Sequence, residues 1–532
     1  MILNRDDYRR KVLGCWMGKN IGGTLGAPFE WKRQINDVSF YTQDLGGEPL
    51  PNDDLDIQLL WLVALEEMGV DLDAHTLADY WCLYVTPHWS EYGTAKTNMR
   101  QGLLPALSGT VENDYKHSCG CFIRSEIWAC IAPGCPEIAA RYAREDAILD
   151  HGNGEGTYGE VFCAALESAA FVVDDLRALI DIGLSYIPED CGVAGAVRCA
   201  VDAFDAGKSW REARDDILRD YRGGTFMGQP DRTSPEDREK AFHTGRRGYD
   251  APSNVAIVVL GLLYGADDFD EMICTTVNCG EDTDCTGATA GAIFGIIHGI
   301  DAIPERWIEP IGRSIKTACL NLGELGYFGN QLPDTIDELT DRTERMAEQI
   351  LARHRFAGTE LSRDEPTDLE DLSPDALKAP DGGAGLYEGA GGTVHRFDFF
   401  TVIVDYGSDP TVRNGETRTV RLTIENNYKT QANISMHWYL PDGWEIWPGR
   451  DAYVMSLPGN LSGSRTLEFA LRTDEVRQAL TRFVVELTIE GRPTVMLVPV
   501  MLLNGNGAGP VAQPPDEQTD DGPEPSGAEE SR

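Results

Sequence analysis

The first two thirds of the chain places apolar residues at helical spacing. "DIQLLWLVALEEMGV" (56–70), "GEVFCAALESAAFVV" (159–173) and "IDELTDRTERMAEQILARH" (336–354) all follow this pattern, which predicts helices. "VAIVVLGLLYGA" (255–266) and "ATAGAIFGIIHGI" (288–300) are apolar almost throughout and predict core helices. Both are too short to span a bilayer. Glycine and proline punctuate these segments, and strand-like alternation is scarce. After residue 395 the texture changes. "RFDFFTVIVDY", "TRTVRLTIENN", "ISMHWYL", "RTLEFALRT", "RFVVELTIEG" and "PTVMLVPVML" are short β-branched or aromatic runs, some separated by "PDGW", "PGN" and "EGRP". Repeated strands with such turns predict an antiparallel β-sandwich. Four segments are therefore expected: a helical domain over 1–355, an acidic Pro/Gly-rich linker over 356–394, a β-sandwich over 395–504 and a disordered acidic tail over 505–532.

Charge narrows the classes of partner. The chain holds 87 acidic against 46 basic residues, a net charge of −41. That opposes nonspecific binding to nucleic acid or anionic membranes, where basic patches supply affinity. Ten lysines stand against 36 arginines, which fits solubility at high ionic strength or an arginine-favouring genome. The N-terminus, "MILNRDDYRRKVLGCW", has charges where a signal peptide needs an apolar run. All 13 cysteines lie between Cys15 and Cys319, and their odd number points to reduced thiols in a cytoplasm. Cys119/Cys121 and Cys130/Cys135 lack zinc-motif spacing and are read as buried or incidental thiols.

Three segments carry chemistry. "NCGEDTDCTGATAGAIFGIIHGI" (278–300) sets Glu281, Asp282 and Asp284 at the mouth of an apolar helix. One carboxylate suffices to cap a helix. Several in a row repel one another unless a cation neutralises them, and oxygen-rich clusters suit hard cations such as Mg²⁺. "LPNDDLDIQLLWLVALEEMG" sets Asn52, Asp53, Asp54 and Asp56 before a second apolar helix. If the two acidic starts face each other, they form a two-metal site with ions roughly 3.5–4 Å apart. The alternative is capping plus a solvated acidic face. "GCWMGKNIGGTLGAPFEW" spaces Gly14, Gly18, Gly22, Gly23 and Gly26 ahead of Glu30. Close helix packing explains the glycines; without Gly-Lys-Ser/Thr or a preceding strand they are not a phosphate loop.

In order and spacing, these segments resemble the ADP-ribosylglycohydrolase family over about residues 8–350. Gly18, Gly22, Gly26 and Glu30 match its first motif, with Gly23 in place of an aspartate. Asn52-Asp53-Asp54 matches its Thr/Ser-Asp-Asp motif, and Gly280-Glu281-Asp282-Thr283-Asp284-Cys285 its Gly-Gly-Asp-Thr-Asp-Thr/Ser motif. The resemblance implies an all-α orthogonal helical catalytic domain followed by the smaller β-sandwich. It implies an enzyme that cleaves an ADP-ribosyl glycosidic bond with two Mg²⁺ ions held by Asp53, Asp54, Asp282 and Asp284. Asn52 and Cys285 stand at positions of hydroxyl ligands. A thiol is a poor Mg²⁺ ligand, so Cys285 implies backbone or water ligation there, or a softer ion such as Mn²⁺. Glu30, Asp54 and Asp282 are the implied catalytic residues, with Glu30 handling water or the leaving group. Gly120, Arg124, His151 and Tyr158 are the implied substrate contacts, although Arg124 could instead pair with Glu126 or Glu137. The partner is an ADP-ribosylated substrate or a related small molecule. Alternatives are hydrolysis of another ribosyl or glycosyl conjugate, or a noncatalytic relative. The sandwich resembles immunoglobulin-like accessory modules; its Trp438, Trp444 and Trp447 are read as core, with a sugar platform as the alternative.

Overall fold

The computed structural model describes residues 1–223, 232–244, 250–327, 329–355, 358–387, 392–407, 409–461 and 463–506. The chain divides into two units, Met1–Thr393 and Val394–Arg532. Residues 507–532, most of the expected tail, lie outside the described residues, whereas the Gly505 amide still donates to the Val412 carbonyl.

The first unit is helical, from Arg5–Gly26 to Ile336–Arg353. Its centre is the pairing of helix Arg5–Gly26 with helix Thr283–His298. Gly14, Gly18, Gly22 and Gly26 face Gly295, Gly291, Gly287 and Thr283 in register. A Cβ at any of the four would fall 2.0–2.5 Å from a backbone carbonyl oxygen of the other helix. The glycine spacing of the first motif is thus a packing code. It brings two backbones into contact and sets the chain after Gly26 beside the acidic start at Asp282. The apolar runs at 255–266 and 288–300 form helices Ala251–Gly265 and Thr283–His298, both buried almost throughout. No helix among the described residues is long and apolar enough to cross a membrane, and all 13 cysteines are unpaired.

The expected linker is folded onto this unit. Strand β1, Ile2–Asn4, pairs in parallel with β2, Glu360–Ser362. Further on, the Tyr186 hydroxyl donates to the Leu377 carbonyl, and the Tyr387 hydroxyl to that of Tyr186. Polar composition suggested a free tether. A few apolar anchors, Leu361, Leu377 and Tyr387, are enough to strap it down.

The second unit packs two five-stranded sheets. Its strands are β3 Gly392–Arg396, β4 Phe400–Asp405, β5 Thr411–Val412, β6 Thr417–Asn426, β7 Ala432–Tyr439, β8 Trp444–Trp447, β9 Asp451–Ser456, β10 Ser464–Thr473, β11 Leu480–Ile489 and β12 Val495–Asn504. The orders are β3-β4-β6-β10-β8 and β5-β12-β11-β7-β9. Register is fixed by alternation: Val420, Leu422 and Ile424 of β6 point inward, as do Phe483, Val485 and Leu487 of β11. Pairing is antiparallel along β4-β6-β10-β8 and along β12-β11-β7-β9, and parallel between β5 and β12. Trp438 lies against Phe469 and Trp444 against Phe483, both buried. Trp447 alone is half exposed, so the three tryptophans form no platform.

Candidate active site

Three local structures converge on one cavity of about 280 Å³. The first is the turn after helix Arg5–Gly26. Glu30 ends a short 3₁₀ turn, and Trp31 follows in the left-handed region at φ 62°. The Trp31 amide donates to the Glu281 carbonyl, which ties this turn to the acidic motif. The second is the start of helix Asp53–Met68. Asn52 is a true N-cap: its Oδ1 accepts the Asp54 amide at 2.9 Å, while its Nδ2 occupies the space a side chain on Gly23 would need. The third is the start of helix Thr283–His298. Asp282 sits at the cap position but makes no capping bond with its side chain, so its carboxylate is free to face the cavity.

The two acidic starts face each other. Ligand atoms of Asp54, Asp284 and Cys285 lie within 4.8 Å of one another, as do those of Glu30, Asp282 and Asp284. Both Asp54 oxygens, Asp282 Oδ1 and Asp284 Oδ1 are buried and accept no hydrogen bond from the described residues. Asp53 stands beside them and accepts the Tyr92 hydroxyl at 3.1 Å. Lys19 offers partial compensation: its ammonium is 3.9 Å from Asp54 but only 2.8 Å from Glu126. Burial, then mutual repulsion, pushes Asp54 and Asp282 well above the carboxylate range. Burial and the charges of Asp284, Asp53 and Asp54 raise Glu30 to about 9, and burial chiefly raises Asp284 to about 6. Orphaned oxygens converging from two helix starts, with Glu30 beside them, fit divalent cations, which would replace the protons these groups otherwise hold.

Residues 4–354 match the family model for ADP-ribosylglycohydrolase. The chain belongs to that family. A 58-residue stretch, 11% of this chain, is 36% identical to the ADP-ribosyl-[dinitrogen reductase] glycohydrolase of Rhodospirillum rubrum and spans 20% of that protein. Among solved structures, the FixG-related protein of Vibrio parahaemolyticus aligns at 13% identity over 20% of this chain and 98% of its own, TM-score 0.17. The alkylpurine DNA glycosylase AlkC of Pseudomonas fluorescens, bound to DNA containing an abasic site analogue, aligns at 11% over 71% and 97%, TM-score 0.14.

Against the ADP-ribosylglycohydrolase pattern, other predicted site residues are placed unevenly. Gly120 lines the cavity. Arg124 does not reach it. Its guanidinium is fully buried and spends its donors on Asp146, Asp150 and the Gly120 carbonyl, rather than on Glu126 or Glu137. It holds the glycine segment from behind. His151 is also fully buried and is not among the cavity residues; its Nε2 lies 3.0 Å from the hydroxyl of Ser118, which is. Tyr158 packs edge-on against Tyr387 of the strap and is not among the cavity residues. Asp56 turns away, its Oδ2 accepting the Ala318 and Cys319 amides at 2.6 Å each. Glu281 turns away too, toward Arg222 at 3.1 Å and Arg33 at 3.4 Å. Its backbone, at φ 70°, keeps the left-handed conformation of the glycine that usually stands there.

Sequence reasoning missed much of the cavity wall. Trp31, Trp89, Glu91, Tyr92, Tyr115 and Ser118 all contribute to it. Cys119, read as a buried or incidental thiol, is buried and lines it. None of these positions stands out in composition or spacing; "SEYG" and "HSCG" are short polar stretches until the fold brings them together.

Proposed function

We propose that the chain is a metal-dependent hydrolase that cleaves the glycosidic bond of an ADP-ribosyl group. One observation carries this reading: the orphaned carboxylates of Asp54, Asp282 and Asp284 meet Glu30 at the wall of a cavity. Asp53, Asp54, Asp282 and Asp284 would hold the ions, with Mg²⁺ or Mn²⁺ both admissible beside Cys285. Two divalent cations bound there would supply a chelate for vicinal ribose hydroxyls and would acidify a water. Glu30 would take a proton from the attacking water as general base, while bond cleavage at the anomeric carbon develops oxocarbenium character. The aromatic wall of Trp31, Trp89, Tyr92 and Tyr115 offers flat faces to a base or sugar.

The direct test is release of free ADP-ribose from an ADP-ribosylated peptide, measured after EDTA treatment and after refilling with Mg²⁺ or Mn²⁺. Activity that disappears with EDTA and returns with either ion is the expected result. Metal-independent release would overturn the metal-dependent reading. Loss of a different ribosyl or glycosyl group would move the substrate while keeping the site.

A further inference from the structure

The cavity wall is rich in acids and short of cations. Glu30, Asp53, Glu91, Asp282 and Asp284 line it, and among the described residues no lysine or arginine does. The buried cations behind the wall are paired with carboxylates. Lys19 is 2.8 Å from Glu126, Arg33 is 2.6 Å from Asp250, Arg222 is 3.1 Å from Glu281, and Arg124 is held by Asp146 and Asp150. Beside Trp31 stand two exposed cations, Lys32 and Arg232. Lys32 turns back on its own turn: its ammonium donates to the Pro28 carbonyl at 2.6 Å and lies over the Phe29 ring. Arg232 arrives from a distant part of the chain and is anchored by its neighbours. Thr233 is buried and pairs with Arg33 in a parallel bridge. The Ser234 amide donates to the Arg33 carbonyl at 2.9 Å, and Thr233 Oγ1 accepts from Arg222 at 2.8 Å. The Arg232 guanidinium then lies over the Trp31 ring, its carbon 5.9 Å from the centroid. Its charge opposes the rise that burial and the neighbouring carboxylates force on Glu30. A guanidinium against an indole face keeps a planar fork of N–H donors for an anion, and that fork matches phosphate oxygens two at a time.

We propose that Arg232 is a specificity-determining contact of the site: docked on Trp31, it takes the diphosphate of the ADP-ribosyl group while the acidic cluster takes the ribose. The inference deepens the reading above and rests on its ADP-ribosyl substrate. The diphosphate is joined to the reacting ribose through one methylene group, so it follows the sugar directly. Trp31 likewise follows Glu30 directly, and both line the cavity. An anion brought to a wall of carboxylates is repelled unless a fixed cation faces it. The net charge of −41 adds to that repulsion. Arg232 answers it with a guanidinium that is exposed to an incoming ligand, held in place by the Thr233–Arg33 pairing, and seated on a residue of the wall.

Binding tests this contact separately from turnover. The probes are ADP-ribose and an analogue whose diphosphate is replaced by an uncharged linker of equal length, each titrated calorimetrically into the full chain in Mg²⁺. Arg232→Ala should weaken ADP-ribose by about 10–100-fold, the loss of a charge-assisted fork, and leave the uncharged analogue within a few-fold. Arg232→Lys keeps the charge without the fork and should recover part of the loss. Lys32→Ala removes another exposed charge beside Trp31 and should change neither probe. Because Arg232 is exposed, the melting temperature of its variants should stay that of the wild type. Unchanged ADP-ribose affinity in Arg232→Ala would overturn the inference. Equal losses on both probes would overturn it too, since they would make Arg232 a support for Trp31. An equal loss in Lys32→Ala would reduce the effect to net charge, with the same consequence. A wild-type chain that binds ADP-ribose no more tightly than the uncharged analogue would also overturn it. The hydrolase reading fails on a different result: a chain that binds ADP-ribose through Arg232 yet releases none from an ADP-ribosylated peptide keeps this contact and loses the hydrolysis.

Discussion

At the scale of single residues, the chemistry was legible wherever it was written as charge at a helix start. Asp53, Asp54, Asp282 and Asp284 announce themselves because capping does not need so many carboxylates. Glu30 followed only from its spacing after the glycines. Its surroundings give it a sharp test. Glu30→Gln keeps size and removes the basic oxygen, so turnover should fall by about 10²–10⁴-fold. The melting temperature in EDTA should hold or rise, because a neutral amide is exempt from the repulsion of Asp284 and Asp53. Full turnover in this variant would exclude the base role. Cys285 poses a different question. Its thiol is buried, pushed well above the thiol range by burial and then by Asp282, and lies within 4.8 Å of Asp54 and Asp284 ligand atoms. Cys285→Ser should tighten Mg²⁺ binding and weaken binding of thiophilic Cd²⁺, both measured by calorimetry. Unchanged Cd²⁺ affinity would show that the thiol faces no ion. The substrate contacts were harder to read. Arg124 and His151 look like ligand residues by type, yet both are spent on Asp150. Only three-dimensional neighbours reveal that the groups reaching the cavity are Ser118 and Glu91.

At the scale of elements, periodicity fixed the long helices and most strands, and it failed where the outward face of a strand is itself apolar. Strand β9 was missed because its exposed positions include Tyr453 and Met455: burial alternates along it, but polarity does not. The glycine motif shows the reverse case. Its spacing was readable, and its meaning, the seam between helices Arg5–Gly26 and Thr283–His298, carries the site. Both helices end at the cluster, so their register sets the distance between Glu30 and Asp282. Gly22→Ala makes two opposed changes. Helix propensity gains roughly 1 kcal/mol. Against that, the new Cβ would stand 2.0 Å from the Gly287 carbonyl oxygen and 2.2 Å from its carbon, both backbone atoms that cannot rotate aside. Overpacking typically costs about 1–3 kcal/mol, and more where backbone must move, so the clash prevails. The expected outcome is a lower melting temperature together with weaker metal binding. Gly385→Ala, where a Cβ meets nothing within 4 Å, should change neither. Gly22→Ala with wild-type stability and metal affinity would mean the seam is looser than its geometry.

At the scale of the whole chain, the change from helix to strand was plain, but the boundary between the units was not. Residues 356–394 read as a tether because acidic, Pro-rich sequence rarely buries enough area to fold. Their few anchors act on an already formed helical unit. A chain ending at residue 391 should therefore keep the stability and metal affinity of the helical unit. One ending at 355 should lose the β1–β2 pairing and the cover over Tyr158 and Tyr186, and with them solubility or melting temperature. Equal behaviour of the two truncations would return the strap to the status of a linker. The charge of the molecule gives the last expectation. Glu30 at about 9, Asp284 at about 6, and Asp54 and Asp282 well above the carboxylate range all have folded pKa values raised over their unfolded ones. Their contribution to stability is full below about pH 4, where both states hold the proton, and is lost as pH rises through the folded values. Asp150, lowered to about 2, acts oppositely: its contribution is present above about pH 4 and is lost as pH falls through 2. Without metal, the helical unit should thus be most stable near pH 4–5, and its melting temperature in EDTA should fall steadily from pH 5 to pH 9. A divalent cation reverses this, because it binds the ionised carboxylates that the folded chain otherwise resists forming. At a hundredfold excess over Kd it adds about 2.7 kcal/mol, a few degrees for a unit of this size. The gain should be larger at pH 8 than at pH 6, since fewer protons then compete. Asp282→Asn should raise the melting temperature in EDTA at pH 8 and remove most of the response to Mg²⁺ or Mn²⁺. A metal-induced shift that is the same at both pH values, or that survives in Asp282→Asn, would place the ion somewhere other than this cluster.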